Sequence, residues 1–120
     1  FSPSGTHLVS TTQDNKLDMF RKFHLSSSKA STKPIKSILH DNKTGRWLTT
    51  FQAVWHPNLD IFGVGSMAKP RSVELFDSSG ERRAAVTGLT AVVSRLAFHP
   101  RSDTILLAGG NSSGRVTIVR

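Results

Sequence analysis

Cysteine and tyrosine are both missing from the 120 residues. The lack of cysteine removes disulfides, thiolate zinc sites and cysteine nucleophiles together. Acidic residues are scarce: 8 Asp and Glu face 16 Lys and Arg, a formal charge of +8. No apolar run approaches the roughly 20 residues of a membrane-spanning helix, so no membrane partner is expected. Neither a basic leader nor an apolar stretch stands near Phe1, and no signal peptide is expected. What is present is an ordinary hydrophobic share, 37%, enough for a packed core and too much for wholesale disorder. The basic balance suits a polyanionic partner.

Internal repetition organises the chain. An aromatic residue stands two positions before a proline three times, in Phe1-Ser2-Pro3, Trp55-His56-Pro57 and Phe98-His99-Pro100. After each comes a β-prone stretch: His7 to Thr12, Ile61 to Gly65, and Ile105 to Gly109. Turn residues follow, and then a second strand: Leu17 to Phe20, Val73 to Phe76, and Val116 to Val119. An outer strand is expected at Ser37 to His40 and again at Arg83 to Val86. β-branched and aromatic residues fill the strands, while Gly, Pro, Asn, Asp and Ser gather between them. The repeats start 54 and 43 residues apart, near the roughly 40–45 residues of a WD40 propeller blade. The fold expected is all-β: an open arc of about three four-stranded blades, the last lacking its outer strand. The blade parts fall at about 1–40, 51–86 and 93–120, with a basic, serine-rich loop at 21–36. Opening within a repeat and without Met, the chain is expected to be a piece of a longer propeller, which leaves apolar blade faces open at both ends.

Three blocks carry a narrower likeness: Thr44 to Trp55, Val64 to Arg71, and Leu107 to Gly114. They resemble the WD repeat-containing protein 76 family of WD40 propellers, relatives of damage-specific DNA-binding protein 2. The Trp-Asp pair that usually closes a repeat is replaced here by Met19-Phe20, Phe76-Asp77 and Ile118-Val119. The resemblance implies a non-enzymatic, nuclear protein that binds duplex DNA in the damage response. It also implies chromatin protein partners, and a ubiquitin-ligase adaptor docked through blades outside this chain. The adaptor-docking signature, Trp-Asp-x-Arg, does not occur intact in these repeats.

In such a propeller, loops from second to third strand share one face with loops from outer strand to the next inner strand. That face would carry 13–16, 41–49, 66–71 and 111–115, presenting Lys43, Arg46, Lys69, Arg71 and Arg115, opposed mainly by Asp14 and Asp41. In damage-specific DNA-binding protein 2, the loop matching 41–49 bears a Phe-Gln-His wedge. Counting back from Trp55, the wedge positions fall on Gly45, Arg46 and Trp47. The residues differ, yet an indole can replace lost base stacking while a guanidinium neutralises phosphate. Lysines and arginines on the remaining loops would position the duplex. The plainer reading has Trp47 folded over the hairpin, covering blade edges.

Other features receive structural readings. Trp55 occupies the repeat position of Phe1 and Phe98 and is expected in the core between blades. The stretch Arg21 to Lys36 holds five cations and no acid. It joins a third strand to an outer one, on the face opposite Trp47. His56 and His99 precede matching prolines, so repetition explains them better than metal ligation. Asn42-Lys43-Thr44 and Asn111-Ser112-Ser113 match glycosylation sequons that are not expected to be used. No carboxylate pair, nucleophile with base, metal motif or phosphate-binding glycine loop is found, so neither catalysis nor a cofactor is expected. Two functions remain: a DNA-binding propeller, or a protein-interaction scaffold on chromatin or substrate receptor of a cullin-type ubiquitin ligase.

Overall fold

Short β-prone stretches broken by Gly, Asn, Asp and Pro favour hairpins over helices. The computed structural model describes residues 1–21 and 33–120, and among them ten strands form and no helix. The first sheet contains β1 (His7–Thr12), β2 (Lys16–Arg21) and β3 (Lys36–Leu39). The second contains β4 (Val54–Trp55), β5 (Ile61–Ser66), β6 (Ser72–Asp77) and β7 (Arg82–Val86). The third contains β8 (Val93–Phe98), β9 (Leu107–Asn111) and β10 (Val116–Val119). Each is an antiparallel meander in which sequence neighbours pair. The three sheets form an open arc, a partial WD40-type propeller. The basic, serine-rich loop expected at 21–36 falls mostly on residues 22–32, outside the described residues.

The core lies between the sheets. Leu17 and Met19 of β2 meet Phe62 and Val64 of β5 and Phe76 of β6, with Phe51 and Val92 closing the cluster. On the other side, Val73 and Leu75 of β6 meet Val93, Phe98 and Leu107 of the third sheet. Because side chains alternate along a strand, β6 sends Phe76 one way and Val73 and Leu75 the other. The central strands β5 and β6 of the middle sheet are thus buried on both faces and read as nearly continuous buried runs, whereas its outer strand β7 is exposed. The flanking strands β2, β3 and β10 alternate instead, as expected of sheets covered on one face. Phe62 stacks on Phe76 at 5.3 Å, and Trp55 leans on Phe62 at 5.0 Å. Trp55 therefore packs against the core, as its repeat position suggests, whereas its counterpart Phe1 is 69% exposed.

One strand starts later than expected. β9 starts at Leu107, two residues later than the Ile105 expected. The turn leading into it is longer: Ser2 N–H reaches His7 O and His56 N–H reaches Ile61 O, but His99 N–H reaches Leu106 O. Ser102 Oγ, donating to Thr104 O at 2.9 Å, braces the extra residues. Ile105 is left as a partly buried flank of the second cluster. His56 is itself a turn brace. Its buried Nδ1 accepts from Asn58 N and Leu59 N, both at 3.0 Å, which leaves Nε2 to donate to Thr104 O at 3.3 Å. His99 Nδ1 accepts from Arg101 N in the same manner.

Candidate nucleic-acid interface

The rim begins at the β1–β2 turn. Gln13-Asp14-Asn15 closes a three-residue turn with Asn15 left-handed (φ 62°), a conformation asparagine tolerates better than most residues. Asn15 then becomes a bracket: its carbonyl accepts from His40 N at 3.0 Å, and its Oδ1 accepts from Asn42 N at 3.0 Å. Asn42 Nδ2 donates to Thr12 O and Lys16 O at 2.9 and 3.0 Å, locking the segment after β3 onto the turn. Asn42 and Asn111, the two sequon asparagines, both spend their side chains on such turns. The lock continues to the next blade, where Met67 N–H donates to Asp41 O at 3.3 Å.

From this base a short tip projects. Thr44 is buried, and Leu48 packs against the first core cluster. Between those anchors Gly45, Arg46 and Trp47 are all exposed, the turn made possible by a left-handed Gly45 (φ 66°). Trp47 is 85% exposed, and the Arg46 guanidinium lies over its ring at 5.7 Å from the centroid, within cation–π range. The indole does not cover a blade edge. The plainer reading of Trp47 fails on that observation.

The remaining cations arrive on neighbouring loops. Lys43 follows Asp41, whose Oδ1 accepts the Lys43 N–H at 3.1 Å, so this acid serves the loop backbone. Asp14, the other opposing acid, pairs with Lys16 at 3.0 Å. Hydrogen bonds from Thr12 and then Lys16 hold its carboxyl below its usual range. Lys69 and Arg71 are exposed on the loop between β5 and β6, where the Lys69–Pro70 peptide is cis. Arg115 leaves the β9–β10 turn, where Asn111 Oδ1 accepts from Ser113 N, Ser113 Oγ and Arg115 N. Arg71 and Arg115 converge: Arg71 Nη1 donates to Thr90 O at 3.2 Å, and Arg115 Nη1 to Thr90 Oγ1 at 2.9 Å. Arg46 with Trp47 forms one group and Arg71 with Arg115, joined through Thr90, a second; no hydrogen bond, ion pair or ring contact links the two among the described residues. Among those residues, none of Lys43, Arg46, Lys69, Arg71 and Arg115 has a carboxylate partner, and neither have Arg95 and Arg101 away from this face; Lys16, on the same face, pairs with Asp14.

Thr90 was not among the expected residues. It lies on the loop from the outer strand β7 to the next inner strand β8, a class of loop already placed on this face. The connection at 87–92 met that criterion, and Gly88 marked it as a turn. At the other end of the sheets, Asp77-Ser78-Ser79-Gly80 repeats the Asn111 turn, with Asp77 Oδ1 accepting from Ser79 N and Glu81 N and Oδ2 accepting from Arg83 Nε at 2.6 Å. Asp77 is thus consumed by its own turn.

Over 98% of its length the chain is 47% identical to WD repeat-containing protein 76 of Mus musculus. It is 40% identical to the protein of that name in Xenopus laevis, again over 98%. The chain belongs to the WD40-repeat family. DNA damage-binding protein CMR1 of Chaetomium globosum is more distant, 30% identical over 96% of the chain. This WD40 segment spans about a fifth of the length of the relatives it matches, 19%, 20% and 24% respectively. No protein-family model matches it.

Proposed function

We propose that this segment forms part of a nuclear, non-enzymatic propeller that binds duplex DNA in the response to DNA damage. The rim of Lys43, Lys69, Arg71 and Arg115 positions the duplex through its phosphates, and Arg46 with Trp47 probes the groove. One observation carries this reading: a solvent-exposed indole, topped by a guanidinium, on a tip held between two inward-facing residues. A side chain that large has no packing reason to stand in water, and an aromatic wedge suits a base step already weakened by damage. The name of the CMR1 relative gives independent support, as do the five cations free of carboxylates. Chromatin proteins are further partners on this reading.

The test uses the full-length propeller. Duplex affinity is measured against salt for the wild type and for Lys43→Ala and Lys69→Ala. Each variant lowers the log–log salt slope by about one unit if its ammonium neutralises a phosphate. Unchanged slopes together with intact protein-partner binding would establish the scaffold function instead.

A further inference from the structure

We infer that Thr90 is a phosphorylation site whose phosphate is clamped by Arg71 and Arg115, withdrawing both guanidinium groups from the DNA-binding rim. The inference rests in part on the DNA-binding reading, and its tests separate the two. Thr90 is exposed, and so are both arginines. Arg115 Nη1 already lies 2.9 Å from the hydroxyl oxygen that would be esterified, and Arg71 Nη1 lies 3.2 Å from the carbonyl of the same residue. The two come from different blades, one on the β5–β6 loop and one beside the β9–β10 turn. The loop between them is fixed at both ends, Leu89 flanking the second core cluster and Val92 buried in the first. From Arg82 to Ser102 the sequence has no Asp or Glu, so no carboxylate in that stretch competes for the guanidiniums. Planar guanidinium groups bind phosphate oxygens bidentately, and each arginine spends one N–H on Thr90 in the unmodified state.

The transfer is from a nucleoside triphosphate through a protein kinase. An Oγ1–phosphorus bond forms, the bond from the γ-phosphorus to the β–γ bridging oxygen breaks, the hydroxyl proton is released, and nucleoside diphosphate departs. The product carries a charge near −2 at neutral pH. Set among two guanidiniums, it neutralises two rim cations and ties the second blade to the third.

Three measurements on the full-length protein decide the matter. Mass spectrometry of protein from its native cells, with phosphatases inhibited and with and without DNA damage, finds phosphate on Thr90; its absence under every condition overturns the inference. Phosphothreonine is then installed at position 90 and titrated by phosphorus NMR. Its second ionisation, ordinarily near pH 6, moves lower in the wild type and returns toward 6 in the Arg71→Ala/Arg115→Ala variant. Equal titration in both proteins overturns the clamp, whether or not the protein binds DNA. Finally, the phosphorylated propeller loses about two units of salt slope on duplex DNA, while the double-arginine variant loses nothing further on phosphorylation. A clamp seen by NMR with unaltered DNA binding would contradict the withdrawal of the rim cations; a protein that binds no DNA in either state refutes the underlying reading and leaves the titration to judge the clamp.

Discussion

Trp47 and Phe62 are both large aromatic side chains, and they stand at opposite extremes of exposure, 85% and 0%. Stability follows burial. Phe62→Ala removes a buried ring that stacks on Phe76 and touches Trp55 at a tilt, and should cost about 3–5 kcal/mol. Trp47→Ala should stay within about 0.5 kcal/mol of wild type, as surface changes do; denaturant midpoints of the full-length protein check both. Gly65 shows the reverse constraint: a Cβ there would run into the Val93 carbonyl of the third sheet. Gly65→Ala should therefore destabilise by about 1–3 kcal/mol through forced separation of the sheets, seen as an earlier denaturant midpoint. Asp77 governs the acid response. Burial alone would raise its pKa, but hydrogen bonds from Ser79, Glu81 and Arg83 outweigh burial and depress it from 3.8 to about 2. Its stabilising contribution is complete above about pH 4 and fades as pH falls through about 2. Asp77→Asn should retain the turn, since Asn111 builds the same one, and should lose less stability than wild type between pH 4 and 2.

At the scale of strands and loops, the β-branched and aromatic stretches set between turn residues, with the repeated aromatic-x-proline step, make the sheets legible in the sequence. The matching turns at Asp77 and Asn111 belong to the same regularity. Two features escaped. The longer turn before β9 shifted its start, because side-chain braces such as Ser102 on Thr104 leave no hydropathy signal. The clamp on Thr90 escaped because it joins residues from three loops, and sequence spacing does not report convergence between blades. Lys43, Lys69, Arg71 and Arg115 are expected on this face from loop class, and Arg46 and Trp47 also from the wedge positions that the family resemblance implies. The structure adds the hydrogen bonds that tie those loops together, from Asn15 to Asn42 and from Asp41 to Met67.

The molecule as a whole is a row of sheets whose cores lie between neighbours, so each blade depends on the next for its buried face. Ile35, Leu39, Val116 and Ile118 are exposed at more than half their surface, the apolar cost of an open arc. One rim of this arc carries the exposed indole of Trp47 and five cations, Lys43, Arg46, Lys69, Arg71 and Arg115, that have no carboxylate partner among the described residues, and those residues are the basis of the functional account. The most direct measurement compares intact duplex with duplex carrying a mismatch or lesion, each bound by the full-length propeller with and without Trp47. If the indole enters a weakened stack, Trp47→Ala should cost about 1–3 kcal/mol on the distorted duplex, from several-fold to about a hundredfold, and little on the intact one. Equal effects on both duplexes, or no effect on either, would contradict the wedge.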